Sequence, residues 1–433
     1  MVITGIGAVT PLGLTAKDLW AGLCQGRCGI GRIRSFDPVG FTCQIAGAVP
    51  EFDIRTRVPR YHRKATKLMS RDIELSVVAA NEAIADSGLV TRANEAGEPT
   101  VDPRRFAINI GAGLISCDLV ELAPCVGASI TDGRFDIRKW GTSGMQTLTP
   151  LWLLKYLPNM LPCHIGIIHD IQGPSNTITC GEAGALLAIG EASEMIARGD
   201  ADVALTGGCE AKVNPIVMLR QCLLKRATSE FNDDPERACR PFDADARGSV
   251  FGEAAALMVL ERAERAAARD AKVYAEVVGI GGSTSLNSVY EHLEPDGKGI
   301  EIAIRQAMEE AQIEPEDLDL IIPHGTGIAA DDRAEAAAIA AALGDAVGQV
   351  PAWPIKSMTS HTGAASGAVD VVAAVMAMRE GIIPAAVNCD RKAEGCRLNI
   401  SARTQRREIR HVLCCSYTFG GQTAALVLRK SES

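Results

Sequence analysis

The chain has 433 residues, 47% of them hydrophobic and 22% charged, a composition typical of folded proteins and a length beyond one simple core. Its net charge of −9 at pH 7 argues against general nucleic-acid binding, which needs a basic surface, and against a polybasic membrane anchor. No apolar run reaches transmembrane length, so no membrane insertion is expected; the opening Met1-Val2-Ile3-Thr4-Gly5 reads as a strand entering a Gly-rich turn, not a secretory leader, and a cytoplasmic protein is expected.

In chain order, a helical pattern over 73–89 closes at Asp86-Ser87-Gly88 and precedes a strand over 106–111. Residues 113–172 carry Trp140, Trp152, Tyr156, Pro158, Met160 and Pro162 and fit a cap or interface insertion better than core sheet. A small-residue helix over 183–198 leads to a strand over 203–207, and a further strand spans 254–260. The charged stretch 262–272 reads as a short helix or connector. The same order then recurs: helix 299–311 with apolar Ile302, Ile304, Ala307 and Met308, strand 318–323, small-residue helix 367–379, strand 412–416. Strand-length apolar runs alternating with helices predict an α/β protein with parallel sheets covered on both faces. The repeat predicts two halves, 1–265 and 266–433, packed about a pseudo-twofold axis.

Fourteen scattered cysteines include no pair of CxxC units and no His cluster beside them, so neither a metal nor a cofactor is expected. Five motifs could carry chemistry. Ile178-Thr179-Cys180-Gly181-Glu182-Ala183 is a strand, a sharp turn and a helix start, where backbone N–H groups favour negative charge; taken alone, Glu182 there reads first as a plain acidic cap. Arg240 to Gly248, with Gly252-Glu253, is a polar loop of charge pairs before a strand. His324-Gly325-Thr326-Gly327 follows a strand and precedes Asp332 and Glu335, a placement that suits a working histidine or one that merely satisfies a tight turn. Lys356 and His361 lie five residues apart before a helix of small residues. Tyr417-Thr418-Phe419-Gly420-Gly421-Gln422 is a Gly-rich turn between two strands.

In order and spacing, these segments resemble the β-ketoacyl synthases, members of the thiolase-fold condensing enzymes, from about residue 2 to 429. The opening Val2-Ile3-Thr4-Gly5-Ile6-Gly7 with Pro11-Leu12-Gly13, both histidine motifs and Phe419-Gly420-Gly421 carry the likeness. The resemblance implies a thiolase-like fold of two pseudo-repeated βαβ halves in a five-layered α-β-α-β-α core. It implies an acyl carrier protein as partner and His324 and His361 as the groups that stabilise a thioester oxygen. Lys356 would support the site together with Glu335. The N–H of Phe419, with Gly420 and Thr418 around it, would form the acyl oxyanion hole.

The departure from the family is at the elbow. An ungapped count from Gly173-Pro174-Ser175 and from Ile189-Gly190-Glu191-Ala192 puts the family's nucleophilic cysteine on Glu182. Cys180 falls two residues early, off the helix N-terminus that lowers a thiol's pKa. Ser360 and Thr418 stand where glycine is usual and predict a narrower or reshaped pocket. Three readings follow. The chain resembles chain-length factors, which partner a cysteine-bearing ketosynthase, as a heterodimer here unless it pairs with itself. Alternatively, Glu182 with His324 and His361 serves an altered catalyst or a malonyl-carrier decarboxylase. A third reading is a carrier-binding scaffold without turnover.

Overall fold

The computed structural model describes residues 1–94, 97–286 and 293–431. The elements that frame the site are β1 (Val2–Val9), α1 (Arg71–Asp86), β2 (Phe106–Ala112), α2 (Leu119–Ala128), α3 (Met160–His169), β3 (Ser175–Ile178), α4 (Gly184–Ala197), β4 (Val203–Ala211), α5 (Pro215–Leu223) and β5 (Glu253–Glu261). They continue with β6 (Ala275–Thr284), α6 (Lys298–Ala311), β7 (Leu320–Ile322), α7 (Ala329–Leu343), β8 (Pro351–Ala352), α8 (Ser366–Glu380), β9 (Asn399–Ile400), β10 (His411–Tyr417) and β11 (Gln422–Arg429).

The eleven strands form one sheet in the order β9-β8-β7-β10-β11-β6-β1-β5-β4-β2-β3. The β6–β1 junction, where Val2 and Ile3 pair with Glu276 and Ala275, divides it into matching sides. Outward from the junction, β1–β5–β4 and β6–β11–β10 are antiparallel, while β4–β2–β3 and β10–β7–β8 are parallel. The expectation of parallel sheets therefore holds only for the outer strands. The inner β5 and β11 are buried on both faces, and such a strand reads as one apolar run whichever way it points.

Paired glycines set the depth of helix-on-sheet packing, in the same way on both sides. A Cβ on Gly5 or Gly7 of β1 would lie 2.2 Å from the carbonyl oxygens of Ala83 or Ala79 in α1. A Cβ on Gly279 or Gly281 of β6 would lie 2.0 or 1.9 Å from those of Ala307 or Ala303 in α6. A β-bulge precedes each pair, between Ile3 and Gly5 and between Val277 and Gly279.

Three apolar clusters separate the layers. One joins Ile73, Val77 and Ile84 of α1 and Leu161 and Ile165 of α3 to one face of the sheet. A central one holds Leu186 and Ile189 of α4 with Val371 and Val375 of α8. A third packs Ile304 of α6 and Ile339 of α7 on the opposite side. The result is five layers, with α4 and α8 in the middle; Gly367 opens α8 so closely over Leu186 that a Cβ would sit 2.8 Å from its Cγ. In α6 the buried stripe is Ile300, Ala303, Ile304, Ala307 and Met308, and Ile302 faces outward, contrary to its predicted apolar role. Among the described residues, no helix is long and apolar enough to cross a membrane.

Residues 113–172 lie off the sheet as α2, a short hairpin, 3-10 turns and α3. They expose Leu119, Val120, Ile130, Phe135, Ile137, Leu151 and Leu153.

Candidate active site

Three chain turns meet at the inner ends of α4 and α8. The first is the elbow after β3. Gly181 takes φ +51°, and a 3-10 turn over Gly181–Ala183 runs straight into α4. Glu182 thus sits at the α4 N-terminus, with its carbonyl accepting a 2.6 Å hydrogen bond from Ser416 Oγ. The second is the loop after β7, which holds His324. The third is the turn before α8, which holds His361.

These turns bring Glu182 Oε1 within 3.7 Å of His361 Nε2. The two imidazoles meet edge to face, their centroids 5.3 Å apart, and Tyr417 packs on His324 at 4.7 Å. The Gly363 N–H donates to His361 Nδ1 at 3.3 Å, so the neutral ring carries its proton on Nε2, toward Glu182. His324 Nε2 is buried without a hydrogen-bond partner.

Lys212, just past the end of β4, is the charge that decides the electrostatics. Its Nζ lies 3.5 Å from Glu182 Oε1 and 3.0 Å from Glu210 Oε1, and all three residues are buried. Glu210 is seated by the Ala364 N–H, which donates to its Oε2 at 2.7 Å. Its carboxylate fills a slot between Gly113 and Gly363, where any Cβ would stand about 2 Å from it. Burial opposes the charge on Glu182, but the Lys212 ammonium, together with His361, a backbone hydrogen bond and Arg226, outweighs it and holds the carboxyl down at about 2. Burial pushes His361 down to about 3, against the pull of Glu182, and pushes His324 well below the usual range. At neutral pH an ionised carboxylate faces two uncharged imidazoles.

A cavity of about 500 Å3 opens above this floor. Glu182, Glu210, Lys212, Thr418, Phe419 and Leu114 line it, with Arg220 and Gln221 of α5. His324 and His361, each 1% exposed, lie behind Glu182 and do not reach its wall. Thr418 narrows the cavity over Gly181, where a Cβ would meet its Oγ1 at 3.4 Å. The Phe419 ring stacks under the Arg226 guanidinium at 4.5 Å, and Arg226 pairs with buried Asp331 at 2.6 Å. The backbone N–H of Phe419 has no partner among the described residues. Gly420 donates its N–H to Thr418 Oγ1 at 3.3 Å and takes no part in the wall. Cys180 is half-buried at the start of the elbow and does not line the cavity.

Glu335 and Lys356 are both buried beside the histidine loops. Glu335 accepts the N–H groups of His324 (2.6 Å) and Gly325 (2.8 Å), which fixes the loop. Burial pushes its carboxyl up to about 8, against those two bonds. Lys356 pairs with Asp370 of α8 at 3.2 Å, and its ammonium also acts on the Glu335 carboxyl, which it pulls down against burial. Ser360 does not line the cavity, so the expected narrowing does not come from it. Its Oγ points at the backbones of Gly47 and Gly252, away from the cavity, and narrows nothing there.

Sequence reasoning missed Lys212, Glu210, Arg226 and Asp370. Lys212 lies in an unremarkable stretch, and only the end of β4 turns it toward the elbow. Among the described residues, no group of three or more His, Cys, Asp or Glu side chains is placed to hold a metal ion.

The comparisons agree with this architecture. The N-terminal domain of the β-ketoacyl synthases matches residues 1–266, and their C-terminal domain matches residues 274–390. The chain belongs to the β-ketoacyl synthase family. This family member is 33% identical to 3-oxoacyl-[acyl-carrier-protein] synthase 2 of Vibrio cholerae serotype O1, over 99% of each chain. It is 35% identical to a putative polyketide beta-ketoacyl synthase 1 of Streptomyces cyaneus, over 99% of this chain and 97% of that one. Among solved structures it is similar to the ishigamide ketosynthase/chain length factor, with a TM-score of 0.84 and 29% identity over 99% of this chain and 98% of that one. A beta-ketoacyl synthase from Burkholderia phymatum STM815 superposes with a TM-score of 0.86 at 26% identity, covering 100% and 99% of the two chains. The thiolase-like fold expected from the sequence is the fold of this family member.

Proposed function

We propose that this ketosynthase-like protein serves type II fatty-acid or polyketide assembly without loading acyl chains, as a chain-length-factor-like partner of a cysteine-bearing ketosynthase. One observation carries the reading: an ionised carboxylate, paired with Lys212, fills the elbow between the cavity and the two histidines. In this reading Glu182 stands at the family's nucleophile position. A carboxylate there is a poor acyl acceptor, because an acyl anhydride would hydrolyse.

A condensing enzyme needs its histidines to touch the thioester oxygen. Here they sit behind Glu182. The relatives support the setting: one is named for acyl-carrier-protein substrates, and a similar structure is a ketosynthase/chain length factor. An acyl carrier protein is therefore the proposed soluble partner, and the cytoplasm the proposed location. The exposed apolar side chains over 113–172 supply a surface for the ketosynthase subunit.

A second reading rests on the unpartnered Nε2 of His324. It makes Glu182 and the histidines a base and donor for malonyl-carrier decarboxylation. One reconstitution separates the two. The protein is incubated with malonyl carrier, alone and with a cysteine-bearing ketosynthase, and CO2 and product length are followed. The subunit reading expects no CO2 from the protein alone and a changed product length with the pair. CO2 release by the protein alone, lost in Glu182→Gln, would replace it with the second reading.

A further inference from the structure

The segment from Ile54 to Arg71 carries seven Lys and Arg residues and no Asp or Glu, in a chain whose net charge is −9. Three 3-10 turns, Ile54–Thr56, Arg60–His62 and Ala65–Leu68, fold it back toward α1, and Ile54, Val58 and Met69 sink into the apolar cluster around that helix. Arg55 pairs with Asp53, and Arg71 with Glu253 and Glu74. Arg57, Arg60, Arg63, Lys64 and Lys67 are exposed, and none of them forms an ion pair among the described residues. Asp53 acts on Arg63 at longer range, but its charge is already matched by Arg55. Five like charges gathered without partners repel one another and add nothing to the fold. The strip is also tied to the insertion over 113–172. Tyr61 donates its hydroxyl to the Ile168 carbonyl at 2.7 Å, His62 Nε2 lies 3.2 Å from His164 Nδ1, and the turn 65–68 packs on the turn 152–155. That second turn exposes Leu153, with exposed Leu151 just before it. The cations therefore border the apolar surface proposed above for the ketosynthase subunit.

We propose that Arg57, Arg60, Arg63, Lys64 and Lys67 dock an acidic face of the acyl carrier, so that this chain, which does not load acyl groups itself, holds the carrier for the cysteine of its partner subunit. The inference rests on the proposed function and deepens it by giving the carrier a surface on this chain. A carrier presents its acyl group on a phosphate-linked arm, so it is anionic where that arm leaves it. Unpaired Arg and Lys side chains attract such a face, fix its orientation and speed its encounter. A carrier held beside the subunit boundary can serve the partner's cysteine although Glu182 fills the elbow of this chain.

The test measures binding of a holo acyl carrier protein to the full chain by biolayer interferometry, at about 50 and about 300 mM salt. The wild type should bind, and more weakly at the higher salt. The triple variant Arg60→Glu, Arg63→Glu, Lys64→Glu should bind at least about tenfold more weakly at low salt, mainly through slower association. All three side chains are exposed, and an unchanged thermal melt checks that the variant is folded. Arg403→Glu with Arg406→Glu, two exposed cations that follow β9 at the opposite edge of the sheet, should bind as the wild type does. With the cysteine-bearing ketosynthase added, the triple variant should raise the carrier concentration needed for half-maximal acylation of the partner and leave the maximal rate unchanged. A wild type that does not bind the carrier, a folded triple variant that binds it as tightly as the wild type, or an equal loss in the Arg403, Arg406 variant would overturn the inference. So would unchanged acylation of the partner, or binding of polyglutamate or of anionic vesicles as tight as that of the carrier. Carrier capture is read without any transfer to this chain, so its failure leaves the non-loading reading standing. An acyl adduct on this chain would sink that reading with carrier capture intact.

Discussion

Ser360 takes φ +65° and ψ 176°, a backbone region open to glycine almost alone, and its hydroxyl is buried without a partner. Both features are unfavourable, and the side chain contributes nothing to the cavity. Ser360→Gly should therefore stabilise the fold by about 1–3 kcal/mol, read as a shift of the urea midpoint at unchanged slope. No gain, or a loss, would mean the side chain's packing against Gly47 and Gly252 outweighs the strain. The Lys356–Asp370 pair makes the opposite case. Both partners are nearly sealed from water at 3.2 Å, so Asp370→Ala leaves an ammonium uncompensated in the core. Urea unfolding should show a loss of about 3–5 kcal/mol. The histidine motifs were readable as residues, but their partners were not. Which carboxylate takes Lys356 depends on how α8 lies against the turn before it, and no local spacing encodes that.

At the scale of elements, the glycine pairs hold the helices on the sheet. Gly281→Ala would drive a Cβ to within 1.9 Å of the Ala303 carbonyl, and neither backbone has room to yield. Thermal and urea unfolding should register a loss of about 1–3 kcal/mol or more. The packing of α3 on α1 carries a pH signature. His169 at the end of α3 donates from Nε2 to Asn81 Oδ1 (2.9 Å) and accepts at Nδ1 from Thr91 (2.8 Å). Burial lowers its pKa to about 4. The unfolded chain binds this proton near 6.5 and the folded chain only near 4, so the stabilisation is present above 6.5 and is lost as pH falls toward 4. Relative to His169→Gln, the wild type should lose roughly 3 kcal/mol across that window. A difference that stays flat with pH would show that His169 is charged in the fold. Helices and strands were readable from apolar periodicity because their burial follows the sequence. The antiparallel inner strands were not, since β5 and β11 are apolar on both faces and carry no mark of direction.

For the whole molecule, the repeat was visible in the order of helices and strands, and the structure adds why it closes. Matching bulges, matching glycine pairs and the small residues of α4 and α8 let two similar sides share one central layer. The elbow was visible as a motif, while the cation that governs it, Lys212, was not. The account turns on what stands at that elbow. The most direct test is intact-mass analysis of the protein after incubation with acyl carrier, with peptide mapping across residues 175–190. No acyl adduct should appear on this chain, while a cysteine-bearing ketosynthase added to the same tube becomes acylated. A stable acyl thioester on Cys180 would contradict the account at its centre.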